Sequence, residues 1–126
     1  MRKEDNLSLQ ISKYLQLQYP KVLFHFDLAS GGKMSIGMAV RNKKMNPCRG
    51  FPDLFIAQPN KCYHGLFIEL KTESPYLKDG KTLKHNEHLL EQKAIINRLL
   101  GNGYYAEFVI GFDEAKIVID VYMAGR

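Results

Sequence analysis

Residues 50–57, "GFPDLFIA", place a rigid Pro52 and a carboxylate, Asp53, at the head of an apolar run with strand character. Residues 65–72, "GLFIELKT", repeat the irregularity at the far end of a second such run, where Glu69 and Lys71 interrupt the apolar residues. Between them "QPNKCYH" carries the turn residues of a hairpin with a slightly long loop. A loop centred near Lys61 pairs residue i with residue 122 − i, so Asp53 falls opposite Glu69. Facing side chains have Cβ atoms about 4.5–5.5 Å apart, and two carboxylates at that distance repel unless a cation joins them. Lys71, two residues from Glu69 and on its face of the strand, partly answers that need. A hard divalent ion with oxygen ligands answers it better.

Working outward, residues 4–19 read as a helix with Leu7, Ile11, Tyr14, Leu15 and Gln18 on one stripe, and Pro20 ends it. Glu4 lies over Leu7 and Ile11 on that stripe, a carboxylate either frayed into solvent at the helix start or aimed at something inside. Residues 22–28 suit a strand, 30–32 a turn and 33–44 a short basic helix. A polar loop over 73–82 precedes a helix over 83–100, stopped by Gly101 and Gly103. Its inward stripe reads His88, Gln92, Ile95, Ile96 and Leu99. An unpartnered Gln92 amide on that apolar face would cost about 1–3 kcal/mol, so it needs a polar neighbour, and the carboxylate cluster or its substrate is the natural one. Residues 104–111 give a fourth strand, and 112–123 a last helix with Asp113 and Glu114 in its first turn. The order α-β-(α)-β-β-α-β-α predicts an α/β fold, a small mixed sheet flanked by helices.

With 126 residues, 45% of them hydrophobic, the chain suits one domain over 1–126 with one core. The basic start "MRKEDNLSLQ" lacks an apolar segment of the signal-peptide kind, and no run approaches the roughly 20 residues that cross a bilayer. Two cysteines, Cys48 and Cys62, are too few for a disulfide framework and fit a reducing cytosol. His85 and His88 could join one of them on zinc, but the C-x-x-C spacing of zinc sites is missing, and the two histidines read as site-lining or exposed. "SGGKMS" does not satisfy the phosphate-loop pattern. Lys and Arg exceed Asp and Glu by 18 to 13, a net +5 that favours a polyanionic partner. Lys33, Arg41, Lys43, Lys44 and Arg49 fall in one stretch without an acidic residue, which is either a solvated surface or a grip on a phosphate backbone.

"G-F-P-D-L", then "F-I-E-L-K-T", then Gln92 on a helix ending "L-L-G-N-G-Y", resembles the VRR-NUC nucleases of the PD-(D/E)xK, restriction-endonuclease-like superfamily. "LQYP" at 17–20 and "GGK" at 31–33 resemble its compact stand-alone phage and bacterial members, which implies the cytoplasm of a bacterial or phage-infected cell. The resemblance implies Asp53, Glu69 and the main-chain carbonyl of Leu70 as ligands of Mg²⁺ or Mn²⁺, and Lys71 as the catalytic lysine. It implies Gln92 as an organiser of the site and an acidic residue on the first helix, best placed at Glu4, with Asp5 the competing position. It further implies DNA as substrate, with structure-selective cutting of a four-way junction in the lead, and a homodimer. The alternatives from other classes are a DNA-binding module without catalysis and an accessory subunit of a replication or recombination machine.

Overall fold

The computed structural model describes residues 3–27 and 35–125. Lys33 and the turn at 30–32 lie outside the described residues. The elements run α1 (Lys3–Gln18), β1 (Phe24–Phe26), α2 (Ile36–Met45), β2 (Leu54–Ile56), β3 (Leu66–Lys71), α3 (Glu87–Gly101), β4 (Tyr105–Ile110) and α4 (Gly111–Ala124). The order is the one the sequence predicts, and the elements form a restriction-endonuclease-like α/β fold around a sheet ordered β1-β2-β3-β4. The pairs β1–β2 and β2–β3 are antiparallel, while β3 and β4 are parallel and joined through α3. The register of β2 on β3 pairs Leu54 with Ile68, Phe55 with Phe67 and Ile56 with Leu66. Each pair sums to 122, so the next step outward brings Asp53 to Glu69, as the hairpin loop requires.

Strand alternation divides the interior in two. Leu54, Ile56, Leu66, Ile68 and Leu70 point to one face of the sheet, where Leu7, Ile11 and Leu15 of α1 and Ala115, Ile119 and Met123 of α4 cover them. Phe67 and Phe108 point to the other, under Leu89, Ile95, Ile96 and Leu99 of α3, with Phe55 packed against them. Phe55 and Phe67 stack with ring centroids 4.4 Å apart. Asp53, Glu69 and Lys71 share the parity of Phe55 and Phe67, so the polar groups stand at the end of the aromatic side of the sheet, beneath α3.

Several expected boundaries move. β2 is shorter than 51–57, because Pro52 has no N–H for the ladder. The carbonyl of Asp53 still accepts from Asp27 N–H at 2.7 Å. α3 starts four residues later than expected. Leu83 is held in an antiparallel bridge to Tyr76, and Asn86 caps the helix by accepting from the N–H groups of His88 and Leu89. On α3 the inward stripe begins at Leu89; His88 is exposed. On α1 the buried stripe stops at Leu15, and Gln18 is exposed because the helix ends there before the chain turns at Pro20.

Candidate functional site

Glu69 and Gln92 are the two buried polar or charged side chains among the described residues, each 5% exposed. They meet through Lys71. The Lys71 ammonium donates to Gln92 Oε1 at 2.7 Å and lies 3.8 Å from Glu69 Oε2. It also sits over the Phe108 ring, 5.6 Å from its centroid. Gln92 therefore finds its partner in the lysine rather than directly in the carboxylates. Its Nε2 lies 3.2 Å from His88 Nε2, which satisfies the other end of the amide.

Asp53 is tied to the same point of β3, since its Oδ2 accepts from the Leu70 N–H at 2.9 Å. Its carboxyl acts on Glu69 through charge and a hydrogen bond. Burial, first, and the Asp53 charge, second, push Glu69 up to about 9 from 4.5, and the nearby Lys71 only partly opposes them. Without a cation the pair thus keeps a proton. The donor set suits a hard divalent ion in the proton's place, two carboxylates being a common protein share of Mg²⁺ coordination. Among the described residues no group of three or more His, Cys, Asp or Glu side chains forms a fuller cage.

A cleft of about 370 Å³ opens beside Lys71, between the segment 72–75, the approach to α3 and the start of α1. Glu4 lines it, and its charge also bears on Glu69, so the expected first-helix acidic residue is brought to the site from the exposed first turn of α1. Asp5 is exposed in the same turn. His85 and His88 line this cleft as well, whereas Cys48 and Cys62 are exposed free thiols. Arg41, Lys43 and Lys44 are exposed on α2, and Arg49 on the segment that leads into Gly50.

One contributor escapes a reading of the sequence. Gly50 has φ +82°, and a Cβ there would stand 2.8 Å from the Gln92 main-chain nitrogen and 2.9 Å from the Glu91 carbonyl carbon. A glycine is required for the loop before Pro52 to press against α3 and bring Asp53 and Gln92 to one place. His88, expected on the inward stripe yet also as a site-lining or exposed histidine, is exposed and lines the cleft one helical turn from Gln92. His64 packs on Gly103, where its N–H donates to the Gly103 carbonyl at 2.8 Å, and edge-on to Tyr104.

A mixed four-stranded sheet carrying P-D at the head of one strand and E-x-K at the end of the next is the restriction-endonuclease-like, PD-(D/E)xK arrangement. Over 99% of its length the chain is similar to a solved structure named VRR_NUC domain protein, covering 91% of that chain with a TM-score of 0.72 and 25% sequence identity. The VRR-NUC resemblance read from the motifs therefore holds in three dimensions. No family model matches the chain, and no curated protein does.

Proposed function

We propose that this protein is a metal-dependent DNA endonuclease that hydrolyses phosphodiester bonds, acting on branched DNA with a four-way junction as the leading substrate. The observation that carries the reading is the meeting of Asp53, Glu69, Lys71 and Gln92 at one point of a VRR-NUC-like fold. Asp53, Glu69 and the Leu70 carbonyl would hold Mg²⁺ or Mn²⁺. The bound ion supplies an acidified water and positive charge at the scissile phosphate. Lys71 carries three N–H donors; the hydrogen bond to Gln92 uses one, and the others would serve the attacking water or the phosphate oxygen on which charge grows. Glu4 orders water at the rim of the cleft. Arg41, Lys43, Lys44 and Arg49 grip the DNA backbone; Lys33 belongs to the same reading.

Labelled four-way junctions, flaps and plain duplexes incubated with Mg²⁺ or Mn²⁺ test this. Asp53→Ala and Lys71→Ala are each expected to lower the cutting rate about 100-fold or more, the scale of losing one group that stabilises developing charge. EDTA abolishes cutting. Undiminished cleavage by both variants removes the site. Metal-indifferent binding without nicking replaces the enzyme with a DNA-binding module.

A further inference from the structure

His88 stands one helical turn before Gln92, and the polarity of the hydrogen bonds running from Lys71 to it is fixed from the inner end. An ammonium has donors and no acceptor, so the Gln92 atom 2.7 Å from Lys71 Nζ is the carbonyl Oε1. The Gln92 Nε2 is thereby turned to His88, and an amide nitrogen only donates. His88 Nε2, at 3.2 Å, must accept, which puts the imidazole proton on Nδ1. Lys71 gives to Gln92, and Gln92 gives to His88. The middle of this chain is buried, while its outer end opens on the cleft.

We propose that His88 is a positioning residue for Lys71: its unprotonated Nε2 holds the Gln92 amide in the one orientation that offers Lys71 an acceptor. The inference rests on the reading of Lys71 as the catalytic ammonium and adds a control over it. Protonation of His88 sets two donors against each other at 3.2 Å. Turning the Gln92 amide over relieves that clash but presents its NH₂ to the ammonium. Either way one of the two hydrogen bonds is lost, and Lys71 loses its fixed direction. The charged groups facing His88 across the cleft are Glu4 from α1, Lys71 from β3, and Glu73, Lys84 and His85 from the segment between β3 and α3. His85 is replaced by Gln so that His88 is the one imidazole lining the cleft.

The first arm needs neither DNA nor metal. In ¹⁵N-labelled His85→Gln protein, long-range nitrogen–proton correlation is expected to show His88 as the Nδ1–H tautomer. The Gln92 side-chain amide signals are expected to shift along the same pH curve as the His88 ring. An Nε2–H tautomer, or a Gln92 amide indifferent to His88 titration, overturns the proposal. The second arm is cleavage. His88→Gln keeps an acceptor and cannot take a proton, so it restores the rate and removes the part of the acid-side fall due to His88. His88→Lys offers only donors and is expected to lower kcat about tenfold at every pH, the equivalent of one charged hydrogen bond. Its KM does not rise, because the added cation faces a polyanion. A His88→Lys enzyme with wild-type kcat and pH profile overturns the proposal. Absence of cutting by every form sinks the nuclease reading alone, since the spectroscopic arm still decides the hydrogen-bond chain.

Discussion

Glu69 is buried with a second carboxyl against it and an ammonium 3.8 Å away, too far for a close ion pair. The folded protein consequently holds a proton there that the unfolded chain gives up. For a carboxyl raised in this way, metal-free stability falls as pH rises from the ordinary value of 4.5 towards about 9. Glu69→Gln removes the titration and keeps the shape. In EDTA at pH 8 the variant is expected to melt several degrees above wild type, because the wild-type chain must take up a proton at Glu69 on folding and the variant need not. The gap closes towards pH 5. Mg²⁺ raises the melting temperature of wild type and leaves the variant where it was. Thermal unfolding across pH with and without metal checks both signs, and equal curves for the two proteins would mean that Glu69 is not a strained acid. Asp53, Glu69 and Lys71 were legible in the sequence because charges at the ends of apolar strands contradict their surroundings. Gly50 was not, since its necessity comes from the backbone of α3, some forty residues further along the chain.

At the scale of elements, the β2–β3 hairpin and α2 stand at opposite extremes. The hairpin register expected from the centre of the loop is held by the core, because a one-residue slip would turn Leu54, Ile56, Leu66 and Ile68 out of it. The start of α3 did not follow, since the Tyr76–Leu83 bridge and the Asn86 cap compete with a helical pattern that continues through 83–86. α2 buries no residue at all and exposes Ile36, Met38, Val40 and Met45 together with its cations. A helix that contributes nothing to the core leaves its cations exposed, and under the proposed function these meet DNA phosphates. Replacing Arg41, Lys43 and Lys44 by Gln is therefore expected to leave the melting temperature within about 1 °C, since surface changes shift stability by little. The same change flattens the slope of log affinity against log salt by about 2.7, at roughly 0.9 for each phosphate no longer neutralised. DNA-binding titrations over a range of salt measure it, and an unaltered slope would take α2 out of the interface.

On the scale of the whole molecule, the sheet is the partition that makes the site possible. One face is given wholly to aliphatic packing under α1 and α4, and this fixes β3 in register between β2 and β4. The other carries aromatic rings under α3 and ends in the acidic pair and the lysine. Because stability comes from both sides, a few buried polar groups at one end are tolerated, their cost offset by Lys71 and Gln92 as mutual partners. Under the proposed function, a centre built at the end of one sheet would act on one phosphate at a time. Symmetric resolution of a four-way junction needs two such centres, and the economical way to supply them is a two-fold dimer. Light scattering is expected to give twice the mass of one chain. Junction cleavage is expected to yield paired nicks in opposite arms. Mixing wild type with excess Asp53→Ala should convert those paired cuts to single nicks in mixed dimers, without that conversion on flaps that need one cut. A mass of one chain combined with undisturbed paired cutting in the mixture would show that each protein works alone, and the substrate would then be sought among flaps and nicked duplexes.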